Sequence, residues 1–277
     1  MKNIIEELIK TAFLEDIPNN DITTDNLNVT ELQGRAQLVA KSDMTLSGSD
    51  LFEKSMKFWS DLTEVKWHFK DGDKILSGQK MATIIGDLTR IIQAERVALN
   101  FLGHLSGIAT LTNKFVSQVE HTDCKILDTR KTLPGYRLLE KRAVCHGGGH
   151  NHRMNLSDSV LIKENHIALA NGLENVLKIF KEKNITPLHV EVKNLDEAKT
   201  AFNFEVNRLL LDNMTNEEML KIVKIRPSGI ELEASGNMNL QRVKSVAEIG
   251  INYISVGMIT HSAPCADLSL IFDWKEK

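Results

Sequence analysis

Cysteine is scarce in this sequence, and long apolar runs are missing. The three cysteines, Cys124, Cys145 and Cys265, are an odd number without regular spacing, which is typical of thiols in a reducing compartment rather than of a disulfide framework. No apolar run approaches the ~20 residues that cross a bilayer. The first residues alternate apolar and charged side chains, unlike a signal peptide. We therefore expect a cytoplasmic protein without a membrane partner.

Neither sign of charge is in large excess. The formal net charge is −3 and the isoelectric point is near 6.3, so the whole molecule does not attract nucleic acid, and we expect no nucleic-acid partner. Any anion must instead be bound by a local cluster of basic side chains. Hydrophobic residues at 42% and charged residues at 26% are the balance of an ordinary globular protein.

The first part of the chain mixes helices with short strands. The predicted helices cover residues 2–13 and 50–59 and include 91–105, and the predicted strands cover 35–41, 64–69 and 80–86. We predict an N-terminal α/β sandwich domain over residues 1–108, joined by the C-terminal tail at about 265–277.

From residue 109 the pattern changes to short apolar runs that alternate with helical segments. The predicted strands cover 125–127, 159–162, 188–192, 208–211, 230–232 and 253–256. Such alternation predicts βαβ units and a parallel sheet. Six or seven units in ~160 residues favour an open, incomplete (β/α) barrel over residues 109–264, because a full barrel usually needs ~250. An open doubly wound sheet is the alternative, although its glycine-rich fingerprint is missing from the sequence.

Polar or small residues end these predicted strands. They are Asp128, Lys163, Glu191, Asp212, Ser235 and Gly257. In a barrel the carboxyl ends of the strands meet on one face, where active sites form. We therefore predict the functional site at this face.

The segment 128–167 carries a dense basic cluster. Its members are Arg130, Lys131, His150, His152, Arg153 and Lys163, and glycines occupy 147–149. Guanidinium groups bind carboxylate or phosphate in a bidentate manner, lysine adds a compact charge, and glycine allows close backbone approach. The cluster predicts a polyanionic ligand.

Other interpretations of this cluster remain open from the residues alone. A solvated basic face would not need the glycines. A zinc site could use Cys145, His146, His150 and His152, but their spacing matches no common ligand pattern and the arginines would repel a cation. Lys163 could form a Schiff base, which requires a more apolar pocket.

Acidic and glycine-containing strand ends complement the basic cluster. Glu191 and Asp212 suit magnesium or sugar hydroxyls. The loops at 235–237 and 257–258 suit a phosphate, since glycine lets backbone N–H groups approach an anion. The predicted ligand is a phosphorylated sugar.

Taken together, these motifs resemble the quinolinate phosphoribosyltransferase family. The matching segments are LEDIPNNDITT (14–24), QAERVALNFLGHLSGIAT (93–110), DTRKTLPG (128–135), GGGHNHR (147–153), LIKENHI (161–167), VEV (190–192), LLLDN (209–213), EASGN (233–237) and ISVGMITHSAP (254–264). The resemblance covers nearly the whole chain. It implies the type II phosphoribosyltransferase fold and a homodimer or larger assembly. It also implies transfer of phosphoribose from 5-phosphoribosyl 1-diphosphate to quinolinate, with release of diphosphate and carbon dioxide and formation of nicotinate mononucleotide for NAD biosynthesis.

The resemblance also implies a role for each matching residue. Arg130, His152, Arg153 and Lys163 would hold the quinolinate carboxylates, with Arg96 contributed by the neighbouring subunit and Thr129 beside the substrate. Lys131 and Lys163 would face the diphosphate, and Glu191 and Asp212 would serve Mg²⁺ and ribose. Ser235, Gly236 and Gly257 would bind the 5-phosphate. The implied catalytic set is Lys131, Lys163, Glu191 and Asp212.

Four positions depart from the family pattern. Asn20, Asn155 and Asn237 replace common glycines, and asparagine is the side chain that best tolerates a left-handed backbone. Lys193 replaces a frequent acidic residue, and we expect it to be exposed. Relatives associated with molybdate uptake have an altered basic motif, whereas GGGHNHR and LIKENHI are intact here. A phosphosugar sensor that does not turn over is a further alternative, which the joint presence of Lys131, Glu191 and Asp212 disfavours.

We predict that Arg130→Lys weakens quinolinate binding although the charge is unchanged, because lysine cannot reproduce a bidentate contact. Isothermal titration of the variant with quinolinate measures the loss. Unaltered affinity would remove Arg130 from the carboxylate pocket.

Overall fold

The computed structural model describes residues 2–27, 29 and 32–273. The helices are α1 Lys2–Asp16, α2 Ile22–Asp25, α3 Ser49–Met56, α4 Leu88–Val119, α5 Arg137–His146, α6 Glu164–Leu169, α7 Leu173–Glu182, α8 Leu195–Phe202, α9 Asn216–Ile225, α10 Leu240–Ala247 and α11 Met258–His261. The strands are β1 Gln33–Ala40, β2 Met44–Thr45, β3 Glu64–Trp67, β4 Lys74–Ile75, β5 Lys80–Asp87, β6 Lys125–Leu127, β7 Val160–Ile162, β8 Leu188–Val192, β9 Arg208–Asp212, β10 Glu231–Ser235, β11 Tyr253–Ser255 and β12 Leu268–Phe272. None of these helices is long and apolar enough to cross a membrane.

The chain divides into two compact units. The first unit comprises residues 1–111, 145–147 and 263–277, and the second unit comprises residues 112–144 and 148–262. Residues 274–277 of the predicted tail lie outside the described residues. Because α4 runs from 88 to 119, residue 108, where we placed the domain boundary, lies inside a helix.

The first unit contains an antiparallel sheet in the order β12-β1-β5-β3 and a small sheet of β2 and β4. Alternate residues of β1 are buried, since Ala36, Leu38 and Ala40 have no exposed surface, as expected for a strand with one face on a core. The C-terminal strand pairs with β1 from Ala36↔Phe272 to Ala40↔Leu268. The tail therefore completes the sheet of the first unit.

The second unit is built on six parallel strands in the order β6-β11-β10-β9-β8-β7. Among the described residues no ladder joins the edge strands β6 and β7, so the barrel is open. The predicted α/β class, with a separate N-terminal sheet and an open barrel, is confirmed.

Side-chain caps start the helices directly after the strands of the second unit. Asn194, Thr215 and Asn239 each accept a hydrogen bond from the backbone N–H three residues later, which satisfies a donor at each helix start. Each of these helices begins within five residues of the end of the preceding strand. The residues in these short loops are therefore held close to the sheet.

A buried ion pair connects three separate segments of the second unit. Asp128, after β6, and Lys141, on α5, have no exposed surface and form a short ion pair. Lys141 Nζ also donates to the carbonyl of His152 at 2.9 Å, and the backbone N–H of His152 donates to Asp128 Oδ1 at 2.8 Å. With its amide nitrogen turned inward, Asn151 donates to Asp128 Oδ2 at 2.6 Å. The pair thus fixes residues 151–152 against the end of β6.

Asp128 directly follows β6, as predicted for a strand-end residue. It does not join the other strand ends at the site, because it has no exposed surface and does not line the pocket. Burial raises the pKa of its carboxyl group, and the Lys141 ammonium and the His152 N–H oppose that rise without cancelling it.

We predict that Asp128→Asn lowers the free energy of unfolding by about 3–5 kcal/mol, because the Lys141 ammonium would remain buried without a counter-charge. Urea unfolding followed by circular dichroism measures the change. Replacing both members, as in Asp128→Asn with Lys141→Met, should recover most of the loss.

Glu174→Gln is the matched control, because Glu174 pairs with Lys178 on an exposed helix surface, where ion pairs contribute little. If Asp128→Asn were as stable as this control, the buried pair would not anchor the second unit.

Candidate active site

A pocket of about 880 Å³ lies at the carboxyl ends of the parallel strands, within the second unit. The predicted site residues that line it are Thr129, Arg130, Lys131, His152, Arg153, Lys163, Glu191, Asp212, Ser235, Gly236 and Gly257. Asn237 and Met258, from the two predicted phosphate loops, also line it. The lining residues without a predicted role are Leu161, Leu210, Asn213, Glu233, Met238, Ser255 and His261. The structure therefore brings every residue with an implied role except Arg96 to one pocket. The strand-end residue Asp128 and His150 of the basic cluster do not line it.

Arg130 and Lys131 supply unpaired positive charge on one side of the pocket. The Thr129 hydroxyl accepts from the backbone N–H of Lys131 at 3.0 Å, which shapes the turn that carries both cations. No side-chain hydrogen bond or ion pair joins either cation to another residue in the described part of the chain. Both groups are thus available to an anionic ligand.

Arg153 brings a third cation close to Arg130. Its Nη1 donates to the carbonyl of Ser159 at 2.9 Å, which leaves other donors of the guanidinium unused by that bond. Burial, and then repulsion from Arg130, lower the pKa of Arg153. Like charges held together in this way favour a ligand that carries negative charge.

Arg137, on the unpredicted helix α5, holds the two basic segments together. Its Nε donates to the hydroxyl of Thr132 at 3.0 Å, and its Nη1 donates to the carbonyl of Met154 at 3.2 Å. Sequence reasoning missed this role because 128–167 was interpreted as a ligand-binding segment without a helix.

Lys163 and Glu191 form an ion pair at the carboxyl ends of the neighbouring strands β7 and β8. Lys163 Nζ lies 2.7 Å from Glu191 Oε2, and the lysine side chain is about half exposed, at 46%. A Schiff-base lysine needs a desolvated amine in an apolar pocket. The paired and hydrated Lys163 therefore does not support the lyase alternative.

Hydrogen bonds from two neighbouring strand ends fix the carboxylate of Asp212. Its Oδ1 accepts from the Ser235 hydroxyl at 2.6 Å, and its Oδ2 accepts from the amide of Asn213 at 2.8 Å. Neither Asn213 nor its contact with Asp212 was predicted. Asn213 directly follows Asp212 in the sequence, but this does not reveal the hydrogen bond between their side chains, because that bond depends on the conformation of the loop.

The phosphate loop predicted at 235–237 is held tightly against Asn213. Gly236 has a φ of 89°, and a Cβ atom there would lie 2.1 Å from Asn213 Oδ1, so glycine is required. Asn237 adopts the left-handed conformation, with a φ of 51°, as we expected for asparagine in place of glycine. Its amide donates to Asn213 Oδ1 at 3.3 Å, and Arg242 Nη1 donates to the carbonyl of Gly236 at 3.0 Å.

The other departures from the family pattern lie outside this loop. Asn20 and Asn155 do not have positive φ angles, so the backbone at these positions does not need glycine. Lys193 is exposed, as expected, and its Nζ lies 2.7 Å from Glu164 Oε1.

Gly257 brings the end of β11 close to the basic turn. A Cβ atom there would lie 3.2 Å from Lys131 Cδ and 3.3 Å from the His261 ring. The hydroxyl of Thr260 donates to the carbonyl of Lys131 at 2.7 Å. The second predicted phosphate loop and Lys131 consequently line the same part of the pocket.

A buried carboxylate, Glu233, forms part of the pocket floor. Its Oε1 accepts from the Ser255 hydroxyl and lies 3.4 Å from His152 Nε2, while its Oε2 accepts from Arg208 Nη1 at 3.2 Å. Burial alone would raise the pKa of Glu233, but the contacts with His152, Ser255 and Arg208 outweigh burial and lower it. Glu231 and Glu233 alternate in a strand that is otherwise apolar, a signal that could have revealed this cluster from the sequence.

Arg96 and the cysteines are not among the residues that line the pocket. Arg96 is an exposed residue of α4 in the first unit. Cys124 is buried, which raises its pKa to about 12, whereas Cys145 and Cys265 are exposed, and none forms a disulfide. In the part of the chain that the structure describes, no three His, Cys, Asp or Glu side chains are grouped so that they could hold a metal ion.

Two family models match almost the whole chain. The model of the quinolinate phosphoribosyl transferase C-terminal domain matches residues 108–271, and that of the N-terminal domain matches residues 21–106. The chain is 34% identical over 268 residues to a Bacillus subtilis protein named probable nicotinate-nucleotide pyrophosphorylase (carboxylating), covering 96% of this chain and 92% of the relative. It is 37% identical to the chloroplastic nicotinate-nucleotide pyrophosphorylase (carboxylating) of Oryza sativa, covering 97% and 78%.

The fold is also similar to that of a solved nicotinate-nucleotide pyrophosphorylase. The nicotinate-nucleotide pyrophosphorylase of Francisella tularensis is 35% identical, with a TM-score of 0.94 over 99% of this chain and 97% of that one. The motifs that line the pocket agree with both family models, with the relatives aligned over nearly the full length and with the shared fold. The chain belongs to the quinolinate phosphoribosyltransferase family.

Proposed function

We propose that this protein transfers the phosphoribosyl group of 5-phosphoribosyl 1-diphosphate to quinolinate and decarboxylates the product, giving nicotinate mononucleotide, diphosphate and carbon dioxide in NAD biosynthesis. The observation that carries the proposal is the pocket itself. It combines the unpaired cations Arg130 and Lys131 with the carboxylates of Glu191 and Asp212 and with two glycine-containing loops. These groups match a dicarboxylate and a phosphorylated sugar diphosphate.

The basic side of the pocket suits quinolinate. Arg130 and Arg153 can each form bidentate contacts with a carboxylate, Lys163 adds a further cation, and Thr129 and His152 lie beside them. Lys131 and Lys163 would neutralise the departing diphosphate. Fixed cations around the carboxylate that stays on the ring determine which carboxyl group is lost.

The glycine loops and the carboxylates of the pocket suit the phosphoribosyl donor. The backbone of Ser235, Gly236 and Gly257 can approach a phosphate closely. Glu191 and Asp212 lie at neighbouring strand ends, where their carboxylates can accept from ribose hydroxyls. The Asn213 and Ser235 contacts with Asp212 hold its carboxylate in one orientation before the donor binds.

Orientation and charge neutralisation are sufficient for the first step. The pyridine nitrogen forms a bond to the anomeric carbon while the bond from that carbon to diphosphate breaks, and diphosphate leaves with the electron pair. Because positive character develops on the ribose, catalysis depends mainly on alignment of the two substrates and on the cations that receive diphosphate.

The second step uses the charge created by the first. The ribosylated ring nitrogen is cationic, so the ring stabilises the electron pair that remains when the adjacent carboxylate leaves as carbon dioxide. The ring carbon then takes up a proton.

The carboxylates of Glu191 and Asp212 fit a requirement for Mg²⁺. Mg²⁺ is usually bound by one or two protein carboxylates, with substrate phosphates and water as the other ligands, and both residues line the pocket. Their bonds to Lys163, Ser235 and Asn213 leave lone pairs on these oxygens. The bound ion would supply positive charge that complements the diphosphate.

The proposed assembly is a homodimer or a larger oligomer in which Arg96 of one copy reaches the pocket of another. The exposure of Arg96 on α4 and its absence from the pocket lining of its own chain support this proposal. The cytoplasmic location stays a prediction, since the relatives come from bacteria and from a plant organelle.

The proposed reaction is tested by incubating the purified protein with quinolinate, phosphoribosyl diphosphate and Mg²⁺ and measuring both products. Carbon dioxide and nicotinate mononucleotide should appear in equal amounts, and only with all components present. If both ligands bind to the intact oligomer without any product, the protein is a sensor and the proposed activity is wrong.

We predict that Arg96→Ala and Arg153→Ala are each nearly inactive and that mixing them restores activity. A mixed dimer has one site that contains both arginines. Random mixing makes half of the dimers mixed, so about a quarter of the wild-type activity should return.

Activity after co-refolding the two variants, compared with each variant refolded alone, measures this restoration. Mixed dimers that are isolated with two affinity tags and remain inactive would contradict a site shared between copies.

A further inference from the structure

Glu233 stands out because it is a fully buried acid in contact with a predicted substrate residue, and no role has yet been assigned to it. Only 2% of its side chain is exposed. It lies at the pocket floor between His152 on one side and Arg208 on the other. Burial of a carboxylate costs free energy unless the carboxylate is paired with a cation and hydrogen-bonded. The contacts of Glu233 therefore need an explanation.

The ring of His152 has a hydrogen bond at one nitrogen and a carboxylate close to the other. Its Nδ1 accepts from the backbone N–H of Arg153 at 2.7 Å, so Nδ1 carries a lone pair and the ring proton is on Nε2. Nε2 lies 3.4 Å from Glu233 Oε1. The two contacts select the same tautomer from opposite sides of the ring.

We infer that Glu233 is a positioning residue that fixes His152 as the Nε2–H tautomer, and that His152 in turn holds the backbone N–H of Arg153. On the proposed function, this arrangement places the Arg153 guanidinium for the quinolinate carboxylates. His152 then shapes the carboxylate site through Arg153.

Charged neighbours keep Glu233 in place as an acceptor. Arg208 donates to Glu233 through Nη1 and to Glu231 through Nη2 at 2.7 Å, and its guanidinium lies 3.8 Å from the centre of the Tyr253 ring. His189 lies in the same cluster, and burial followed by repulsion from Arg208 lowers its pKa. Arg208 is consequently the cation that balances the buried carboxylate.

Glutamine cannot replace both functions of Glu233. It offers one acceptor oxygen, whereas Arg208 donates to one oxygen of Glu233, and the Ser255 hydroxyl and the Nε2–H of His152 face the other. The charged guanidinium attracts that oxygen more strongly than a neutral ring N–H does, so the amide nitrogen would face His152. A donor at that position favours the Nδ1–H tautomer, which breaks the contact with the Arg153 N–H.

The tautomer is measured directly by ring ¹⁵N chemical shifts of histidine-labelled protein without substrates, well above the ordinary imidazole pKa of ~6.5. The His152 signals are assigned from the spectrum of His152→Gln. We expect a non-protonated Nδ1 and a protonated Nε2 in the wild type, and loss of this state in Glu233→Gln. A protonated Nδ1, or averaged shifts in the wild type, would overturn the inference.

Kinetics test the consequence for the site. Glu233→Gln should raise the KM for quinolinate roughly tenfold, the size expected for a lost hydrogen bond within a charged network, with a much smaller effect on the KM for phosphoribosyl diphosphate. Glu231→Gln is the matched control, because it is the same substitution on the same strand and also removes an Arg208 contact, but Glu231 does not line the pocket.

Equal changes of both KM values, or the same change in Glu231→Gln, would mean that Glu233 has only a structural role. Because the spectra need no substrate, the tautomer is decided even if the wild type fails to turn over quinolinate. Such a failure would contradict the proposed function alone.

Discussion

Asp128 and Lys141 form an ion pair from which water is excluded, and the basic half of the site is built around it. The pair and its hydrogen bonds join the end of β6, helix α5 and residues 151–152. Arg130 and Lys131 follow Asp128 directly, and Arg153 follows the anchored His152. Positive side chains repel one another, so a restraint of this kind is needed to hold them together before an anion arrives. Arg137 adds a second restraint across the same segments.

The rest of the pocket is restrained by contacts of the same kind. Lys163 and Glu191 pair across neighbouring strand ends, and Ser235 and Asn213 hold Asp212. Each contact is made by side chains of the protein alone, so little reorganisation should be required when substrates bind. Such preorganisation is the main source of catalysis in a reaction that depends on alignment and on charge.

Sequence reasoning predicted the parallel strands, and it brought five strand-end residues to the pocket because strand ends in an open barrel converge on one face. The other six predicted lining residues came from the basic cluster, the glycine loop and the resemblance to the family. Sequence reasoning placed Asp128 correctly at the end of a strand but did not predict its burial, since its partner Lys141 lies thirteen residues away on a helix that was not predicted. Local patterns do not reveal which of several charged strand ends is paired and buried. The same limit explains why Glu233 was overlooked, although its alternation with Glu231 was visible. The φ of Asn237 was anticipated from residue type, because left-handed backbone is a local property, whereas Asn20 and Asn155 do not have it.

The most direct test of this account is a crystal structure of the protein with quinolinate and a non-reactive analogue of phosphoribosyl diphosphate. We predict quinolinate carboxylates against Arg130 and Arg153, and the 5-phosphate against the backbone at Ser235, Gly236 and Gly257. Asp128, Lys141 and Glu233 should keep their present contacts. Quinolinate bound outside this pocket, or a basic segment that rearranges to bind it, would contradict a site that is organised before its substrates arrive.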